Sequence, residues 1–250
     1  MMKVGFASMI GGGVLAFSMM AASAHATEIY TSNLSAGTST SGTPGGYQLG
    51  YNGSISGMTT TGYNFIYTSA SAAINSGANG MDGMVYMDSA IKADANDTQD
   101  HGAFLALDGD YDTYPVDIAV STVAGQTYTV SFDWAAAQQA GFSGGTTDSV
   151  LVALGNDPAQ GTGVVSVAQQ GFSGWMDVTD TFVAQTTGTE ELSFLAAGSP
   201  AVPPFALVDN IDVSTAAAPE PNSLMLLGTG LAALGGFVRM RLKSGEPANA

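Results

Sequence analysis

Three aspartates at alternate positions in "LDGDYD", Asp108, Asp110 and Asp112, are spaced for binding a cation. Carboxylate oxygens repeated in this way open many calcium loops, because a hard divalent cation relieves the repulsion among them. The segment departs from the EF-hand pattern. Its sixth position is Thr113, where that loop has glycine, and its twelfth is Ala119, where that loop has glutamate. Two readings stand: a weak calcium site at Asp108, Asp110 and Asp112, and a solvated turn after a buried strand. Asp209 and Asp212 join such a site only if the fold brings them there.

Aromatic residues in glycine-rich loops suit a second kind of chemistry. Rings stack on the apolar faces of sugars while Asp, Asn and Gln take the hydroxyl groups, so Tyr111, Tyr114, Phe142, Phe172 and Trp175 are the candidate ligand-binding residues. "QQAGFSGG" at 138–145 and "QQGFSGW" at 169–175 nearly repeat one another. On one rim of a domain they would form two walls of a cleft. For Trp175 and the two phenylalanines a role as core plugs at the end of a sandwich stands equally open.

Catalysis finds little footing. His101 in "DTQDHGAF" is the one histidine left once the N-terminal leader is removed, and no serine stands in a G-x-S-x-G setting. A glycoside hydrolase needs only two carboxylates at a set separation, and nothing in the sequence singles out a pair. The reading is therefore non-enzymatic, with a glycan hydrolase the least favoured alternative.

These residues need a scaffold, and the pattern predicts strands. "YNFIY", "MVYM" and "FLAL" are followed by "VDIAVS", in which Val116, Ile118 and Val120 alternate. "YTVSFDW" puts Tyr128, Val130, Phe132 and Trp134 on one face and Thr129, Ser131 and Asp133 on the other, which makes Trp134 a core residue. "SVLVALG", "GVVSV", "DTFVA", "ELSFLA" and "FALVDNIDVS" follow at the spacing of a two-sheet sandwich, and no segment has the period of an amphipathic helix. The expected fold is all-β, an antiparallel jelly-roll β-sandwich.

Charge narrows the partners. From Thr27 to Ala218 there are 19 acidic residues and one basic residue, Lys92, for a formal charge of 1 − 19 = −18. That excludes nucleic acid, which is bound by displacing counterions with Lys and Arg. With no cysteine in 250 residues, neither disulfides nor thiolate metal sites staple the fold. Asn33, Asn52 and Asn96 stand in N-x-[ST] sequons, read as chance.

Both ends of the chain read as addresses. Lys3, the apolar stretch after it and Ala24-His25-Ala26 have the form of a secretory signal peptide, cut by signal peptidase after Ala26; the alternative is an uncleaved membrane helix. At the other end, Leu224 to Val238 carry no charge over fifteen residues, about 22 Å of helix, and end at Arg239, Arg241 and Lys243. Snorkelling basic side chains let this stretch span a thin or compressed bilayer with the acidic domain outside. Gly228-Thr229-Gly230-Leu231-Ala232-Ala233 matches a dinucleotide-binding fingerprint, but no strand precedes it, and small residues there better fit helix packing in a membrane.

Pro219-Glu220-Pro221, the apolar helix and the basic cluster, in that order, resemble the PEP-CTERM sorting signal of exported proteins in Gram-negative bacteria. The resemblance implies recognition by an exosortase, cleavage near the tripeptide, and transient inner-membrane anchoring before release to the cell surface or extracellular matrix. It also implies a setting of exopolysaccharide production. "GYNFIY", "GAFLALDGDY", "AGQTYTVSFDWAAAQQ", "GFSGWM" and "ELSFLAAGSPAVPPFALVDNIDV" resemble the galactose-binding-like jelly rolls found ahead of such tails, which implies carbohydrate as the ligand class, and the charge of −18 favours neutral polysaccharide as the partner. The calcium-holding Asn-Gly-x-Phe-Glu-like opening of several such modules has "TEIYTSNLSAG" in its place here. The organisation expected is a signal peptide at 1–26, a Ser/Thr/Gly-rich region of edge strands and loops at 27–62, the jelly roll at 63–215, a linker at 216–222, the sorting helix with its basic cluster at 223–243 and a tail at 244–250. The function expected is that of a non-catalytic carbohydrate-binding matrix protein, with a purely structural or adhesive component as the rival.

Overall fold

Alternating apolar and polar residues pair as strands throughout the computed structural model, which describes residues 26–39, 46–75, 101–110, 114–215 and 229–230. The chain divides into a unit spanning Ala26–Ala216 and a second made of Met1–His25 and Ala217–Ala250. The expected leader up to His25, the expected sorting helix apart from the helical Thr229 and Gly230, and the "MVYM" segment lie outside the described residues. Among the described residues no helix is long and apolar enough to cross a membrane.

In chain order the strands are β1 (Thr27–Thr31), β2 (Thr38–Ser39), β3 (Gly46–Gln48), β4 (Gly53–Ser54), β5 (Met58–Thr59), β6 (Asn64–Tyr67), β7 (Phe104–Asp108) and β8 (Val116–Thr122). Then come β9 (Thr127–Gln138), β10 (Thr146–Asp148), β11 (Val150–Leu154), β12 (Gln160–Gly161), β13 (Val165–Val167), β14 (Met176–Val183), β15 (Gly188–Ala196) and β16 (Pro204–Thr215). One sheet runs β14-β9-β16-β7-β6-β3, with β1 also paired to β16, and the other runs β12-β11-β15-β8-β5. Every pairing within these two sheets is antiparallel. Short ribbons join β10 to β13 and β2 to β4. The protein is thus the antiparallel jelly-roll sandwich that the strand pattern predicts.

Between the two sheets lies the main core. Val130, Phe132 and Trp134 of β9, Leu105 and Leu107 of β7 and Val208 of β16 are buried with Val116, Ile118 and Val120 of β8 and Leu192 and Phe194 of β15. Phe132 and Phe194 meet edge to face, with centroids 5.2 Å apart at 86°, a contact that adds about 1 kcal/mol to the area it buries. Trp134 is a core residue, as its alternation predicts.

Two features go beyond the alternation. First, the larger sheet is buried on both faces. Phe65, Tyr67, Phe104, Ala106, Ala135, Ala137, Phe205 and Leu207 alternate with the main-core residues and form a second cluster on the outer side. This is why "FLAL" and the alanine run of β9 read as continuously apolar, the mark of strands covered on both faces. Second, a short helix α1 (Ala70–Asn75) contributes Ala73 to that cover, with the Ser69 hydroxyl accepting a hydrogen bond from the Ala72 N–H at 3.1 Å. Six residues are too few to display a helical period, so the sequence gives no sign of it.

The stretch from Thr27 to Gly62 holds short strands, and Leu34, Tyr47, Leu49, Ile55 and Met58 from it enter the main core. Gly53 is required there: a Cβ at that position would lie 2.0 Å from the Tyr47 ring. Burial of Tyr47 pushes its phenol up to about 12.

Candidate functional site

The register of β14, β9 and β16 sets three aspartates in one row. Asp133 of β9 lies opposite Asp177 of β14 on one side and opposite Asp209 of β16 on the other. Directly paired residues share a face, and Trp134, next to Asp133, points into the main core, so the row lies on the outer face of the larger sheet. Like charges facing each other across strands oppose pairing, and a structure that keeps them must offset the repulsion.

Two groups do so. The His101 ring has Nδ1 3.3 Å from Asp209 Oδ2 and Nε2 3.9 Å from Asp133 Oδ2. The Asn210 side-chain amide donates to Asp133 Oδ2 at 2.7 Å. Asn210 can reach because it sits in a β-bulge between Asp209 and Asp212, with a left-handed φ of 49° that asparagine tolerates well. Burial raises the Asp133 carboxyl above the usual carboxylate range. The Asn210 hydrogen bond and the His101 charge pull it down, while a hydrogen bond with Asp177 and the charge of Asp177 push it up.

Trp175 covers this polar patch. Its ring stacks on His101, with centroids 4.0 Å apart and planes 10° apart, and meets Phe104 edge-on at 5.7 Å and Phe172 edge-on at 6.2 Å. Trp175 and Phe172 are half-buried against the second cluster, while the His101 side chain beneath is only 6% exposed and Asp177 at the edge is exposed. The result is a partly open aromatic platform with carboxylates and an amide beside it. Such a surface can take a sugar ring on the indole face and its hydroxyls on the exposed Asp177 and Asn210, while the buried Asp133 and Asp209 support the platform from beneath.

Of the five expected ligand-binding aromatics, the structure brings Phe172 and Trp175 together. Phe142 is exposed on the loop after β9, and Tyr114 is exposed just before β8. Tyr111 lies outside the described residues. The two near-repeat loops run side by side. Gln138 at the end of β9 accepts from the Gln170 N–H at 2.6 Å and donates to the Gly144 carbonyl at 3.2 Å, and the Gln169 side chain accepts from the Gly144 N–H at 3.3 Å. The Ser173 hydroxyl accepts from the Ala136 N–H at 2.8 Å, fixing the loop that carries Phe172 and Trp175 to β9.

In the aspartate turn, Asp108 is buried and accepts from the Asp110 N–H at 3.0 Å, Asp110 is exposed, and Asp112 lies outside the described residues. Among the described residues no three His, Asp or Glu side chains are grouped to hold a metal ion. Sequence reasoning missed the Asp133, Asp177 and Asp209 row, the place of His101, and a fully buried aspartate, Asp148. Asp133 had a signal as the polar residue before Trp134, and Asp209 as an acid of the last strand that folding could bring to a site, but the row exists only through inter-strand register.

Residues 217–241 match the PEP-CTERM protein-sorting motif, which marks an exported protein with transient membrane anchoring. The match takes in Pro219, Glu220, Pro221, Arg239 and Arg241, with Lys243 just beyond it, and all six lie outside the described residues. No curated protein matches the sequence. Among solved structures, the chain is similar to an apo cyclase from Fischerella sp. at 11% identity and a TM-score of 0.43, over 79% of this chain and 100% of that one. It is similar to the CBM22-1 xylan-binding domain of Paenibacillus barcinonensis Xyn10C at 10% identity and a TM-score of 0.36, over 79% and 100%. A third similarity, at 11% identity and a TM-score of 0.37 over 64% and 88%, is to TmCBM61 in complex with β-1,4-galactotriose.

Proposed function

We propose that the Ala26–Ala216 unit is a non-catalytic carbohydrate-binding module of an exosortase-processed protein, displayed at the surface or in the extracellular matrix of a Gram-negative bacterium. The observation that carries this reading is the half-buried Trp175 ring with exposed Asp177 and Asn210 at the edge of the polar row beneath it, an apolar platform with polar groups beside it. Neutral polysaccharide fits better than acidic polymer, because a stretch with a formal charge of 1 − 19 = −18 repels an anionic chain. A binding role fits better than a catalytic one. The imidazole of His101 is already engaged by Asp209 and covered by the Trp175 ring, which leaves it poorly placed to exchange a proton with a substrate.

A glycan array probed with the full-length protein tests this. Binding to neutral glycans should change little with salt and weaken at least about tenfold in Trp175→Ala, the scale expected for loss of a stacking ring. Phe172→Ala should weaken it less. Tight, salt-sensitive binding to an acidic polymer in chelator would contradict the proposal. The matrix-scaffold reading draws on the packing of Trp175 against the second cluster. It takes over if no glycan binds and Trp175→Ala mainly lowers the melting temperature.

A further inference from the structure

Beneath the Trp175 ring lies a group that can carry charge. His101, seated just before β7, has a side chain only 6% exposed, and its imidazole lies 10° from parallel to the indole with centroids 4.0 Å apart. Two other rings meet the same indole edge-on, Phe104 at 71° and Phe172 at 77°. Neutral rings prefer such edge-on or offset contact, because face-to-face stacking sets like quadrupoles against each other. A protonated imidazole removes that objection, since its charge is drawn to the electron-rich indole face.

The edge of the imidazole faces carboxylates. Nδ1 stands 3.3 Å from Asp209 Oδ2 on β16 and Nε2 stands 3.9 Å from Asp133 Oδ2 on β9, with Asp177 of β14 opposite Asp133. Asp212, beyond the β16 bulge, accepts instead from the Thr31 hydroxyl at 3.1 Å, and Phe104 and Phe172 bring no charge. Carboxylates at this range favour a charged imidazole, and a charged imidazole offsets the repulsion within the aspartate row. The backbone that carries Trp175 is pinned two residues earlier, where the Ser173 N–H donates to the Ala136 carbonyl at 3.0 Å and the Ser173 hydroxyl accepts from the Ala136 N–H at 2.8 Å. Gly174, with a left-handed φ of 80°, separates that pin from the ring, so the plane of the indole is set by what it rests on.

We infer that His101 is a positioning residue for the sugar surface: its imidazolium, set between Asp209 and Asp133, fixes the plane of the Trp175 ring and releases it when the proton is lost. A neutral imidazole keeps one hydrogen bond to Asp209 but forfeits the attraction to Asp133 and to the indole face. The surface is therefore firmest while His101 is charged, and saccharide affinity falls as pH rises through its titration. This consequence for binding rests on the reading of Trp175 as the sugar platform, whereas the link between His101 and Trp175 is measurable with no glycan present.

Full-length protein followed from about pH 5 to pH 9 decides the matter by two spectra and one affinity. An imidazolium stacked on an indole quenches its fluorescence, and the difference from Trp175→Phe isolates Trp175 from Trp134. The His101 imidazole signal in NMR is the one that disappears in His101→Phe. Trp175 emission should rise with the same midpoint as the His101 signal, and affinity for a neutral oligosaccharide should fall about threefold to tenfold above it. Asp209→Asn, which keeps an acceptor and removes a charge, should move both spectral midpoints to lower pH together. His101→Phe keeps a flat ring without the charge and should hold the weaker, high-pH affinity throughout; if it does not fold, the coincidence of midpoints in the wild type and in Asp209→Asn decides alone. Trp175 emission that stays flat while His101 titrates, a His101 ring that does not titrate in this range, or a pH dependence that persists in His101→Phe overturns the inference. Coincident midpoints in a protein that binds no glycan would leave the His101 link standing and sink the sugar reading. Trp175-dependent binding that ignores pH would do the reverse.

Discussion

Asp148 makes the electrostatic cost of this fold measurable at a single residue. Burial, reinforced by the charge of Asp108 and opposed by the Ser149 N–H, holds its carboxyl well above the ordinary value of 3.8. A folded state that binds a proton more tightly than the unfolded state gains stability from it below about that ordinary value, and loses the gain as pH rises through the folded-state pKa. In chelator, Asp148→Asn should therefore unfold at a higher temperature than wild type at neutral pH, with an advantage that grows as pH rises. Melting curves of both proteins between about pH 4 and pH 8 check this, and an advantage that shrinks with rising pH would contradict it. The sequence exposes Asp108 and Asp110 because they repeat at a fixed spacing, and it exposes Trp134 because it sits in phase on a strand. Asp148 in "TTDSVL" carries no such mark, since its partner lies 40 residues away and only the sandwich brings them together.

At the level of elements, what was legible is alternation and what was not is register. β8 and the first half of β9 could be read face by face because each carries polar residues in phase, whereas the outer cluster was hidden by the runs in β6, β7 and the second half of β9, which are buried on both sides. The bulge in β16 that aims Asn210 at Asp133 leaves no clear trace in "FALVDNIDVS". Turns are governed just as locally by single acceptors. Between β14 and β15, Glu190 Oε1 accepts from the Gln185 N–H at 3.0 Å, the Thr186 N–H at 2.6 Å and the Thr186 hydroxyl at 2.8 Å, so one carboxylate oxygen orders the connection. Glu190→Ala removes all three bonds and should cost about 2–4 kcal/mol in urea unfolding. Glu190→Gln keeps an acceptor oxygen and should cost roughly 1 kcal/mol. Equal losses in the two variants would show that the side chain's charge, and not its place as an acceptor, holds the turn.

On the scale of the whole molecule, charge and destination are coupled. The basic residues cluster at the C-terminal end, with Arg239, Arg241 and Lys243 behind an apolar run, while the stretch from Thr27 to Ala218 keeps a single one, Lys92. An acidic domain outside and a basic anchor inside is the orientation that membrane insertion favours. The sorting motif was legible in full because it is a linear signal, read in order along 217–241 and independent of how the sandwich folds. The sugar surface was legible only in part, because Trp175 and Phe172 announce themselves while the acids beside them do not. If the motif directs processing, the anchor is temporary and the cut falls near Pro219-Glu220-Pro221. Intact-mass analysis of the mature protein from the exported fraction of the native host should then show an N-terminus at Thr27 and loss of everything beyond about Pro221, with any group transferred at cleavage as added mass. Deleting the exosortase should leave the tail in place and the protein in the membrane fraction. Exported material that extends to Ala250 in an exosortase-positive host would refute processing, and it would leave Arg239, Arg241 and Lys243 as a permanent anchor's inner boundary.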